Sequence, residues 1–280
     1  MAMEAIDLEP LIGSEIRTSR EALLSGGLRE AIRARLVERG VIVFRDMDLT
    51  DEEQRGLARQ LGDLRTGTVS KEGDEGLMKI TLNASENPDY VDFFPGSLLW
   101  HMDGTYDAVP PFATILRPIR LARQGGQTEF SNNYAAYEAL SDTEKARLDR
   151  LECVHTMLAA MVHAVPDAPV EKVQRWMSYP NRVHPLVWQH KSGRRSLALS
   201  TSCSHIVGMH PADSHDLISD LMRHATQDRF VYRHEWRPND LLIWDNTGTM
   251  HRARPYDSGS DRLLHRFTLN GEEPITAVAA

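Results

Sequence analysis

A mainly-β protein with flanking helices, built as a two-sheet jelly roll, is the fold class this sequence predicts, and three observations predict it. Short apolar runs bounded by turn residues recur at close spacing from Leu77 onward. A helix, strand, helix pattern precedes them between Gly27 and Gly62. A helical stretch from Tyr134 to about Met177 interrupts the strands as one long insertion.

The elements follow in order. LREAIRARLVERG carries Leu28, Ile32 and Leu36 at helical spacing and stops at Gly40. VIVFRD, Val41 to Asp46, is a short buried strand. Thr50 then caps a helix running through Arg59 to about Leu61, and Glu53 three residues on completes a capping box. LMKITLNA, FATILRPI and GGQTEFSN read as strands. In the insertion, Ser141 caps a helix over DTEKARLDRLECVHTMLAAMV. Strand signals resume at VHPLVWQH, SLALSTSC, FVYRHEW, DLLIWDN and LLHRFTLNG, and the helix-forming HPADSHDLISDLMRHAT lies among them, expected outside the sheet.

Of the 280 residues, 41% are hydrophobic and 26% charged, the balance of a globular protein with an ample core, which excludes whole-chain disorder, collagen or coiled coil. No repeat, low-complexity tract or Pro/Gly/Ser linker divides the chain, so residues 1–280 are expected to form a single domain. Lys and Arg number 32 against 40 Asp and Glu, a net charge of −8 spread along the chain. That leaves no basic footprint for a nucleic-acid backbone. No apolar run approaches the roughly 18 to 20 residues needed to span a bilayer, and MAMEAIDLEP is acidic where a signal peptide is basic and then apolar. The expectation is a cytoplasmic protein without a membrane or nucleic-acid partner, its oligomeric state left open. The two cysteines, Cys153 and Cys203, are too few for a disulfide framework and not spaced as a metal pair, so they read as two partly buried thiols.

Residues that carry chemistry begin with Trp100-His101-Met102-Asp103, ahead of a Gly104 turn. On extended backbone, residues two apart face one side, so His101 and Asp103 can converge on one ion. Alone, such a pair arises readily by chance in a chain with 12 histidines. A second histidine, His251, follows the strand DLLIWDN, and Arg262 and Arg266 follow in RLLHRF. Two imidazoles and one carboxylate make the facial triad that leaves metal positions open for oxygen chemistry at ferrous iron. An arginine beside it suits a dicarboxylic co-substrate, which its planar fork grips with two parallel bonds. His205, His210 and His215, five residues apart, fall on different faces of a helix and form no cluster on spacing alone.

WHMD, GGQTEF, WDNTGTMH and RLLHR occur in the order and approximate spacing of one family. In these motifs the chain resembles the taurine dioxygenase and 2,4-dichlorophenoxyacetate dioxygenase family of iron(II)- and 2-oxoglutarate-dependent oxygenases, from about Arg29 to Pro274. The resemblance implies a cupin-like double-stranded β-helix core and a dioxygenase using Fe(II), 2-oxoglutarate and O2. It also implies metal ligation by His101, Asp103 and His251, and a grip on the distal carboxylate of 2-oxoglutarate by Thr128 and Arg262. The implied reaction decarboxylates 2-oxoglutarate to succinate and CO2 and hydroxylates or oxidatively cleaves a second substrate. Related halogenases have a small residue in place of the carboxylate, so the retained Asp103 disfavours chlorination.

For the substrate, the resemblance offers Arg266 as the anion holder, the alternative being an arginine that braces the sheet. Ser202 aligns with an aromatic residue of close relatives and would leave room for a bulkier body. Tyr90, Phe93 and Phe94 are candidates for lining or for core. Asn83 either bonds substrate or caps a turn. The expected substrate is a small, partly hydrophobic organic acid. The same ligand set also serves desaturation, epimerisation or oxidative decarboxylation, and a non-catalytic metal-binding jelly-roll protein is the alternative of another class.

Overall fold

The structure is a computed structural model that describes residues 3–66, 75–257 and 259–279. The N-terminal part runs β1 (Glu4–Asp7), β2 (Ser14–Arg17), α1 (Arg20–Leu24), α2 (Arg29–Arg39), β3 (Val41–Phe44) and α3 (Asp51–Leu61). Next come β4 (Met78–Ile80), α4 (Pro88–Ser97), β5 (Ala113–Arg120) and β6 (Thr128–Asn132). The insertion holds α5 (Asn133–Glu138), α6 (Asp142–Leu148), β7 (Glu152–His155), α7 (Met157–Val162) and α8 (Val170–Met177). The rest is β8 (Arg182–Pro185), β9 (Val187–Gln189), β10 (Arg195–Leu197), β11 (Cys203–Ile206), α9 (Pro211–Ala225), β12 (Val231–His234), β13 (Leu241–Asp245), β14 (Thr249–Ala253) and β15 (Leu263–Thr268).

A seven-stranded sheet in the order β1-β2-β3-β13-β5-β15-β4 faces a three-stranded sheet, β12-β6-β14. This is the jelly roll that the strand pattern predicts. Strand β13 shows why its sequence is apolar throughout. Leu241 and Ile243 point outward into a core with Ile32, Leu36, Leu57 and Leu61 of α2 and α3. Leu242 and Trp244 point inward against Phe130 and Tyr232 of the smaller sheet and Leu116 and Leu264 of their own. A strand buried on both faces has no polar alternation to show. The predicted capping box starts α3: Thr50 Oγ1 accepts from the Glu53 amide at 3.3 Å, and Glu53 Oε2 accepts from the Thr50 amide at 2.8 Å.

The insertion departs from expectation. The helix beginning at Ser141 ends at Leu148, and the residues that would continue it form β7, which pairs with β8 and β11. Cys153 and His155 are fully buried on that strand, and tertiary pairing overrides local helical preference. Helix resumes only at α7, where the Thr156 hydroxyl accepts from the Ala159 amide. The β1–β2 hairpin, α4 and β14 are further elements that the apolar patterning does not announce.

Because Ile243 is fully buried between β13 and the covering helices, Ile243→Ala is expected to cost about 2–5 kcal/mol and Ile243→Val about 0.5–1.5 kcal/mol. Urea denaturation of the two variants measures both. An equal loss would show that the site collapses around either side chain.

Candidate metal centre and active site

His101 lies between α4 and β5, and it adds to the edge of β14 by a reciprocal pair of backbone bonds. The His101 amide donates to the His251 carbonyl at 3.0 Å, and the His251 amide donates to the His101 carbonyl at 2.8 Å. Their rings stand 4.2 Å apart. Register places His251 opposite Phe130 on β6, whose ring stacks on it at 6.1 Å. His251 therefore faces the interior between the sheets.

His101 Nδ1–H donates to the Leu99 carbonyl at 2.8 Å, which leaves Nε2 as the free ligand atom. Asp103 Oδ1 lies 4.0 Å from His101 Nε2, and Asp103 Oδ2 lies 3.9 Å from His251 Nε2. The three donor atoms fall within 4.8 Å of one another. Gly104 follows with φ +73°, where a Cβ would sit 2.2 Å from Pro111 Cδ, so only glycine turns the chain away at this point. Two imidazoles and a carboxylate converging from a strand edge and a turn fit a ferrous ion with open positions.

Arg266 lies on β15 and points inward like Leu264. Its guanidinium pairs with Asp103 Oδ2 and reaches Thr268 Oγ1 at 3.1 Å and Thr114 Oγ1 at 3.3 Å. Burial pushes the Asp103 carboxyl up, but Arg266 and the two imidazoles outweigh it and hold the group well below the usual carboxylate range. Burial lowers both histidines, and His251 is lowered further by His101 beside it. His265 points to the opposite side and bonds Asp51 at 2.7 Å.

Thr128, on the same face of β6 as Phe130, accepts from Trp236 Nε1 at 3.1 Å. Arg262 is buried, donates to the Gly126 carbonyl at 3.0 Å and lies 4.7 Å over the Tyr256 ring. A Cβ on Gly126 would come within 2.9 Å of Arg262 Nε. Tyr256 continues into an aromatic row through Phe94, at 5.6 Å, and Tyr90, 5.8 Å beyond. Burial pushes the Tyr90 hydroxyl up to about 12.

A cavity of about 410 Å³ opens beside Asp103 and Arg266, walled by Met78, Phe93, Tyr106, Met157 and Tyr179. Helix α4 forms one of its walls and is clasped to α8. Asp92 pairs with Lys172 at 3.0 Å and Arg175 at 3.2 Å, and Phe93 meets Tyr179 edge-on at 6.5 Å. Of the predicted aromatics, Phe93 lines the cavity, while Tyr90 and Phe94 pack toward Arg262. The structure does not bring Asn83 or Ser202 to it. Asn83 is exposed, and its Oδ1 accepts from the Ser85 amide and hydroxyl at 3.1 and 2.7 Å, the turn-capping alternative. Ser202 is buried behind the site, bonded to Thr105 Oγ1 at 3.0 Å and His155 Nδ1 at 2.8 Å. The cysteines, unpromising by spacing, lie side by side with His155.

Residues 4–268 match the family model for the taurine catabolism dioxygenase TauD, TfdA family. The chain belongs to that family. It is 32% identical to an alpha-ketoglutarate-dependent 2,4-dichlorophenoxyacetate dioxygenase of Cupriavidus pinatubonensis, over 96% of this chain and 98% of the other. To an alpha-ketoglutarate-dependent sulfate ester dioxygenase of Pseudomonas putida it is 31% identical, over 96% and 91%. The crystal structure of AAD-2 in complex with Mn(II) and N-oxalylglycine superposes with a TM-score of 0.82 at 29% identity, covering 98% of this chain and all of that one. The protein is accordingly an Fe(II)- and 2-oxoglutarate-dependent dioxygenase, and the non-catalytic alternative finds no support among these relatives.

Lowered histidine and carboxylate pKa values keep all three donors unprotonated into mild acid. Mn(II) affinity, followed by titration from pH 8 downward, is expected to stay level through the ordinary histidine value of about 6.5 and to fall only below it. A fall centred at or above that value would contradict the burial argument.

Proposed function

We propose that residues 1–280 work as one dioxygenase domain that hydroxylates or oxidatively cleaves a small, partly hydrophobic organic acid. His101, Asp103 and His251 hold the iron, and Thr128 and Arg262 hold the distal carboxylate of 2-oxoglutarate. When bound, iron and 2-oxoglutarate supply oxidising power from O2, with release of succinate and CO2. The chain's own residues do the rest. Arg262, buried against Gly126 and Tyr256, presents a preset guanidinium to a carboxylate. The bond from His101 Nδ1 to Leu99 fixes the tautomer that faces the metal.

The observation that carries the substrate class is Arg266 at the wall of a cavity whose lining includes the rings of Phe93, Tyr106 and Tyr179 and the thioethers of Met78 and Met157. The other arginine there, Arg65, is paired with Asp107 at 2.7 Å. With Asp103 committed to a metal, Arg266 turns its charge to an anionic substrate whose apolar body lies against Phe93, Tyr106 and the methionines. The curated relatives named for phenoxyacetate and sulfate ester oxidation support an acid of this kind. A chain of net charge −8 supports a small-molecule substrate over a nucleic acid, and the place of action we propose is the cytoplasm.

Arg262→Ala is expected to weaken 2-oxoglutarate binding far more than metal binding, because it removes a bidentate partner and no metal ligand. Separate titrations of the two ligands check this, and equal loss of both would sink the assignment.

Arg266→Ala is expected to raise KM for the acid steeply while substrate-free turnover of 2-oxoglutarate persists, and Arg266→Lys to restore only part. Succinate formation across a panel of aryl and alkyl acids reads the effect. Turnover of a neutral ester as fast as the acid by the unmodified enzyme would assign Arg266 to bracing the sheet.

A further inference from the structure

A second group of ligand-type side chains lies outside the dioxygenase site. Cys153 and His155 on β7 and Cys203 on β11 place their donor atoms within 4.8 Å of one another, all buried. Cys203 Sγ is 3.9 Å from both ring nitrogens of His155. Register explains the convergence. Cys203 is paired with His155, Cys153 lies two residues earlier on the same face, and the ladder is irregular between Cys203 and His205. Across β8, His184 is paired with Cys153, and its ring stands 5.5 Å from that of His155.

The chemistry of this set differs from that of the triad. Two sulfurs and an imidazole with no carboxylate are a soft donor set, suited to zinc or other thiophilic ions. A hydrogen bond to Cys153 and the nearby His155 lower the Cys203 thiol, while the same contact and burial push Cys153 up. His155 Nδ1 is engaged by Ser202 Oγ at 2.8 Å, which orients the ring and leaves Nε2 for an ion.

We propose that Cys153, His155 and Cys203 form a second metal site, for a zinc-like thiophilic ion, separate from the iron triad. The site is wired to the catalytic turn. Ser202 Oγ continues from His155 to Thr105 Oγ1 at 3.0 Å, and His184 Nε2 bonds the Thr105 carbonyl at 3.0 Å. Thr105 follows Asp103 by two residues, and Tyr106 after it lines the cavity. An ion that ties β7 to β11 thus holds the turn that presents the metal carboxylate.

The test uses the full-length protein, stripped of metal, reduced and titrated with Co(II) without oxygen. The iron triad contains no sulfur, so only the second site gives a near-ultraviolet thiolate-to-cobalt charge-transfer band. Expected are two Co(II) bound per chain, a band that Zn(II) abolishes in competition, and the same band in His101→Ala. The double variant Cys153→Ala/Cys203→Ala is expected to lose the band and one equivalent of cobalt. The unmodified protein already decides the question should that variant fail to fold. A reduced protein with both thiols titratable and no band would overturn the proposal. So would a band that survives in the folded double variant, or a native chain whose two thiols are already joined as a disulfide.

Discussion

The reciprocal backbone pair between His101 and His251 is the constraint on which the active site depends. It joins a short segment before β5 to the edge of β14, and both imidazoles follow from that one register. Everything that fixes β14, including its pairing to β6 and the packing of Phe130 and Trp244 against His251, also fixes the spacing of the ligands. Core packing and ligand geometry are therefore one problem in this molecule, and interiors packed to crystal density leave little slack to relax it.

Electrostatics adds a second layer to the same frame. Asp103, Arg266, Thr114 and Thr268 form a polar patch inside an apolar sandwich, with Trp244 beneath the guanidinium at 5.7 Å. Buried charges survive only when paired and hydrogen-bonded. The same rule governs Asp240, which meets Arg45 at 2.5 Å and His234, on the small sheet, at 3.2 Å. In the first network Arg266 of the large sheet meets Asp103 from the turn before β5, and in the second His234 of the small sheet meets Asp240 just before β13, so each network also cross-links the architecture.

Much of this was legible in the sequence, for reasons that particular residues make plain. Leu28, Ile32 and Leu36, the Thr50–Glu53 box and the DLLIWD run carry local signals that burial then reinforces. The pair His101 and Asp103 and the distant His251 were readable because donor identity survives without a structure. What escaped was decided by pairing rather than by local pattern. ECVH looks like the middle of a helix until β8 and β11 claim it. Cys153 and Cys203 look unrelated until that same pairing sets them together. Ser202 is a substrate candidate by alignment to relatives and Asn83 by its place on a strand-like run, where turn capping is the alternative; hydrogen bonds to His155 and Thr105 account for the first and bonds from Ser85 for the second. Helix α4 did leave a signal that went unused: Asn87 before Pro88 is a cap followed by a residue suited to the first helical turn, and Asn87 accepts from the Tyr90 amide.

The clasp between α4 and α8 gives the cavity wall a mechanical character unlike that of the sheets. Its ion pairs, Asp92 with Lys172 and Arg175, are about half exposed, and pairs of that kind contribute about 0.2–1 kcal/mol each and weaken in salt. The sheets behind are held by buried Ile, Leu, Phe and Trp side chains with no such sensitivity. Wall and frame can thus yield on different scales: ionic strength loosens the mouth of the cavity and the traffic through it, while the register that spaces the metal ligands stays as it was. Evolution can then alter the wall residues to admit a new acid without disturbing the chemistry beneath.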